Sequence, residues 1–121
     1  MKIKAENENG VWILQLQGRL DAPWVGAFKR AMASYLSETV PQLVFDLREL
    51  EYLNSTGLGA LLSLLRKCES KGGSLCLQNL SPEIESLLFA TRLNKLLPIL
   101  PVDAEIEGDE ISRGSPPVWH S

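Results

Sequence analysis

The chain has 121 residues, 45% of them hydrophobic and 22% charged, with Lys+Arg 12 against Asp+Glu 15 for a net charge of −3. That supply of apolar side chains is enough for one ordinary domain and excludes disorder over the whole chain, while the length leaves no room for a second folded unit. An acidic balance without a basic run lacks the electrostatic footprint of a nucleic-acid binder.

In chain order, Lys2 to Glu6 alternates polar and apolar residues, Asn7-Glu8-Asn9-Gly10 carries turn residues, and Val11 to Gln17 is rich in strand formers. The reading is strand, turn, strand. Gly18-Arg19-Leu20-Asp21 closes the second strand, with Asp21 placed to cap a helix and Pro23 in its first turn. Trp24, Phe28, Met32 and Tyr35, widened by Ala27, Ala31 and Leu36, make the apolar face of that helix, which ends before Pro41.

Leu43-Val44-Phe45-Asp46-Leu47 is the almost continuous apolar run of a strand covered on both faces. A loop over Arg48 to Leu53 follows, and a second helix starts near Ser55 with Leu58, Leu61, Leu62, Leu65 and Cys68 on its core side. Its exposed strip holds Ser63, Arg66, Lys67 and Ser70. Gly72-Gly73 ends it through residues that tolerate positive φ, and Leu75 to Leu77 makes another short strand. Ser81-Pro82-Glu83 opens a third helix whose apolar face is Ile84, Leu87 and Leu88. Pro98 and Pro101 bracket a possible edge strand at Ile99 and Leu100. The expected division is a domain over 1–102 and a mobile tail over 103–121, acidic first and then rich in Pro, Ser and Gly, in which the role of Trp119 is undecided. Strands alternating with helices define an α/β fold with the helix starts gathered at one edge of the sheet.

Several functions are excluded or disfavoured on chemistry. His120, beside the C-terminus, is the one histidine, so a Ser or Cys nucleophile has no ordered general base and no enzyme activity is expected. Cys68 and Cys76 are too few for a closed zinc site or a disulfide framework, so neither metal nor cofactor is expected, and both cysteines read as structural. With no apolar run long enough to cross a bilayer and no charged start followed by an apolar segment, the expectation is a cytoplasmic protein without membrane contact.

The segment Asn54-Ser55-Thr56-Gly57-Leu58-Gly59 is a strand-to-helix connection that sets two hydroxyls among the free N–H groups of a helix start. A hydroxyl there serves most simply as a cap, and the phosphate-loop alternative fails because no Gly-Lys pair follows. Together with Gly18-Arg19-Leu20-Asp21, the strand at 43–47, Gly72-Gly73-Ser74-Leu75 and Leu93-Asn94-Lys95-Leu96-Leu97-Pro98-Ile99, this segment resembles the STAS family of anti-sigma factor antagonists.

The resemblance implies a small mixed sheet of four or five strands with helices packed against it. It implies phosphorylation at Ser55, with Asp21, Asn54, Thr56, Gly57 and Gly59 as partner-binding or phosphate-site neighbours. The chain departs from the pattern at Asn54, where Asp is usual; Asn keeps the size and hydrogen bonding and drops the charge. The implied partners are an anti-sigma factor serine kinase, bound by the unphosphorylated form, and a serine phosphatase of the PP2C type that resets the switch. The alternative is a constitutive scaffold or signalling-complex component of the same fold that is never phosphorylated.

Overall fold

A computed structural model describes residues 1–100, so the expectations for the tail over 103–121, Trp119 and His120 lie outside the described residues. The elements run β1 (Lys2–Glu8), β2 (Val11–Leu20), α1 (Ala22–Leu36), β3 (Gln42–Asp46), β4 (Leu50–Leu53), α2 (Ser55–Ser70), β5 (Ser74–Gln78), α3 (Pro82–Ala90) and a 3-10 turn at Leu93–Lys95. The sheet has five strands in the order β1-β2-β3-β5, with β4 paired to the far end of β2. β1 and β2 form an antiparallel hairpin, and β2 is parallel to β3, β3 to β5 and β2 to β4. The expected mixed sheet is therefore present, at the five-strand end of its range.

β3 is buried on both sides, as its apolar run predicts: Leu43 and Phe45 join the main core under the helices, and Val44 joins Val11, Cys76 and Leu100 on the other face. Ile99 makes one parallel bridge to Leu77, so the edge strand between the prolines reduces to a single rung. Ser81 caps α3 by accepting from the Ile84 N–H at 3.2 Å, again as its sequence predicts.

Four local expectations need correction. Residues 50–53 are a strand, not loop: β2 runs on past a bulge at Gly18, where φ is +101°, and pairs Gly18–Leu20 with β4. On α1 the buried stripe is Phe28 and Met32 with Val25, Tyr35 and Leu36 partly buried, whereas Trp24 is 41% exposed and Ala31 faces out. Trp24 fits the helical spacing but lies in the first turn, where the stripe begins at Val25 instead. On α2, Leu64 is buried and Leu62 only partly so, which rotates the core face slightly from its expected position. Of the two glycines after α2, only Gly72 takes positive φ, +76°; a Cβ at Gly73 would lie 1.9 Å from the Pro41 carbonyl oxygen, so that glycine serves a close approach.

The parallel arrangement fixes the location of the functional end. β2, β4 and β5 all finish at one edge of the sheet, and α1, α2 and α3 start there. Their free N–H groups gather at that edge.

Candidate functional site at the start of helix α2

The matched pair Leu20↔Leu53 in parallel strands β2 and β4 sets Asp21 and Asn54 at equivalent positions just beyond the sheet. The chain then turns into α2, and its first turn lies directly on β2: an added Cβ at Gly57 would sit 2.2 Å from the Leu20 carbonyl oxygen. Gly57 is buried for that reason, and its absence of a side chain is a packing requirement. Gly59 is exposed, with nothing within 4 Å of the position a Cβ would take.

Asn54 is the cap. Its extended backbone (φ −114°, ψ −176°) leads into the helix, its Oδ1 accepts from the Gly57 N–H at 3.0 Å, and its carbonyl accepts from the Leu58 N–H at 2.9 Å. The simplest expectation for the Ser55 and Thr56 hydroxyls, capping, is thereby corrected. Ser55 and Thr56 are the first two helical residues and both are exposed. The amide of Asn54 satisfies the donor a Ser hydroxyl would otherwise take, which leaves Ser55 without a structural task.

Asp21 holds the cap position of α1 and yet does not cap it with its side chain. The reason is local. Pro23 has no N–H, and the Trp24 N–H already bonds the Asp21 carbonyl at 2.9 Å, so the carboxylate finds no free donor at the second and third helical positions, where a capping side chain bonds. Its Oδ2 instead accepts from Arg19 Nε at 3.0 Å. Oδ1 is buried without a hydrogen-bond partner, and the residue as a whole is 8% exposed. The Arg19 guanidinium also lies over the Tyr52 ring, 4.2 Å from its centroid. Sequence reasoning missed Arg19 and Tyr52, although positions 19 and 21, two apart at the end of a strand, share a face.

Of the expected site residues, the fold therefore gathers Asp21, Asn54, Ser55, Thr56 and Gly57 at one sheet edge, with Gly59 one helical turn beyond Ser55 on the same side. From there a shallow groove follows α2, lined by Gly59, Leu62, Ser63, Arg66, Lys67 and Ser70. Cys68 and Cys76 lie away from this edge in the core, and burial pushes their thiols up to about 11 and about 12, so neither is a nucleophile. No helix among the described residues is long and apolar enough to cross a membrane.

Comparison with known proteins agrees with this fold. The family model of the STAS domain matches residues 2–106. An anti-sigma F factor antagonist of Paenibacillus polymyxa is 28% identical over 100 residues, 82% of this chain and 86% of that protein. The crystal structure of an anti-sigma factor antagonist from Mycobacterium paratuberculosis superposes with a TM-score of 0.74 at 24% identity, covering 84% of this chain and 86% of the other. The Bacillus cell fate determinant SpoIIAA in its phosphorylated form superposes with a TM-score of 0.62 at 19% identity, covering 83% and 92%.

Proposed function

The chain belongs to the STAS domain family, and from that premise we propose that it is an anti-sigma factor antagonist: a regulatory binding protein, not an enzyme, switched by phosphorylation of Ser55. Unphosphorylated, it binds an anti-sigma factor serine kinase in the cytoplasm and so frees a sigma factor; a PP2C-type phosphatase returns the modified form to use. The observation that carries this reading is the exposed Ser55 at the first position of α2, with capping left entirely to Asn54.

The energetics suit a reversible signal. A phosphoserine brings a charge of about −1.5 to −2, and a helix N-terminus favours a negative charge by only about 0.3–1 kcal/mol, so the fold tolerates the group. Enclosing the same dianion in a protein interface costs several kcal/mol unless cations meet it. The partner then dissociates while the domain stays folded.

The test is incubation with the serine kinases of the source organism and ATP, followed by intact mass and peptide mapping, with pull-down of the kinase before and after. One added phosphate at Ser55, abolished in Ser55→Ala and accompanied by loss of kinase binding, is expected. Phosphate mapped to Thr56 or Ser63, or kinase binding indifferent to the modification, overturns the reading, and no phosphate at all favours the constitutive scaffold.

A further inference from the structure

Any phosphate on Ser55 enters a site that already contains a buried anion. Asp21 is 8% exposed, its Oδ1 lacks a partner, and it occupies the position equivalent to Asn54, the residue before Ser55. The first turn of α2, Ser55 to Leu58, carries no charged side chain to offset the two. Arg19 is paired with Asp21 in the only salt bridge among the described residues. That pairing uses Nε alone, so among the described residues the two Nη groups of the guanidinium donate to nothing. The side chain is 53% exposed and rests on Tyr52, which holds the guanidinium at the rim without enclosing it.

We propose that Arg19 is the phosphate-positioning residue of this site: it neutralises Asp21 while Ser55 is unmodified, and its free Nη donors take the phosphate oxygens once Ser55 is phosphorylated. A planar fork with unused parallel donors suits this better than an ammonium, because it serves a carboxylate and a phosphate at once. The inference rests on the reading of Ser55 as the modified residue. It adds that the signal state is held by a residue of the Gly18–Asp21 segment, and that Asp21 and the phosphate share one cation.

The experiment uses the full chain with phosphoserine installed at position 55 during translation, so no kinase is needed, and follows the phosphorus resonance through a pH titration. The charged groups on the elements packed against α2 are Arg19 on β2 with Asp21 just beyond it, Glu51 on β4, and Lys29 and Arg30 in the middle of α1, with none on the first turn of α2 itself. A cation beside the phosphate favours its dianion, so Arg19→Gln should raise the titration midpoint by about 0.5 pH unit or more. Arg19→Lys, which keeps the charge, should recover at least part of that displacement. Arg66→Gln removes one positive charge roughly 16 Å along α2, beyond a Debye length of about 8 Å, and should leave the midpoint in place. Arg19→Gln within about 0.1 pH unit of the parent, or an equal displacement in Arg66→Gln, overturns the proposal. Failure of any kinase to modify Ser55 overturns the functional reading and leaves this midpoint comparison standing, so the two are separable.

Discussion

The two glycines of the Asn54–Gly59 segment look alike in sequence and should respond oppositely to the same substitution. In Gly57→Ala the new Cβ would lie 2.2 Å from the Leu20 carbonyl oxygen and 2.7 Å from Leu53 Cδ1. The methyl of Leu53 can turn away, but the Leu20 carbonyl is backbone, in a strand end paired with β4 that leads directly into α1, and cannot. Relief requires the start of α2 to lift by about 1 Å, and overpacking of this kind costs about 1–3 kcal/mol, the upper end applying when backbone must move. Gly-to-Ala inside a helix returns roughly 0.5–1 kcal/mol, so the net loss is about 2 kcal/mol. For a domain of this size that lowers Tm by roughly 8–16 °C.

Gly59→Ala meets nothing within 4 Å and keeps only the helical gain, which raises Tm by roughly 2–8 °C. The measurement is circular-dichroism melting of both variants, joined to a binding assay with the proposed kinase partner. Because Gly59 lies one turn from Ser55 on the same side, its methyl should weaken docking even as it steadies the fold. Equal shifts for the two variants, or a Gly57→Ala protein as stable as the parent, would refute the close packing of α2 on β2.

Capping by Asn54 predicts that Asn54→Ala costs about 1 kcal/mol in urea unfolding, whereas Asn54→Asp retains the cap and Ser55→Ala stays within about 0.5 kcal/mol; a Ser55→Ala loss as large as that of Asn54→Ala counts against this assignment. The buried thiols predict an alkaline weakening of the fold. Burial raises Cys76 from 9.0 to about 12, and raises Cys68 to about 11, with Glu69 adding to the rise and Lys71 opposing it. The unfolded chain releases these protons first, so their contribution is complete below pH 9 and drains away as pH climbs toward 11 to 12. The unfolding free energy of the parent should therefore fall more steeply above pH 9 than that of Cys76→Ala, and parallel curves would contradict it.

Where side-chain periodicity and burial coincide, the sequence is legible. The leucines of α2 and the apolar run of β3 each follow the pattern of the surface they cover, and both elements stand where the pattern puts them. β4 does not, because only Leu50 and Leu53 of its four residues are buried and the strand pairs with β2 alone, leaving no alternation to read. Asp21 misleads for a different reason. Capping propensity belongs to the residue type, while capping itself needs a free donor that Pro23 and the Asp21 carbonyl between them remove. Arg19 illustrates the same limit in reverse: its partnership with Asp21 follows from strand alternation, but its seat on Tyr52 depends on β4 being a strand at all.

The first turn of α2 therefore divides its duties among neighbours. Asn54 satisfies the helix end, Gly57 allows the helix to press on β2, and Ser55, Thr56 and Gly59 are left exposed. The division matters because a residue that both caps and carries a signal would couple the two: modification would uncap the helix, at about 1 kcal/mol, and alter the surface the partner reads. With a neutral amide as the cap, the phosphate proposed for Ser55 would meet one fewer negative charge than beside a carboxylate, and the remaining one, Asp21, is already matched to Arg19. The proposed modification would then change the charge presented to a partner by about two units while the backbone beneath it stays where Asn54 and Gly57 hold it. A switch built this way reports through electrostatics on a fixed surface, with no conformational change required of the domain.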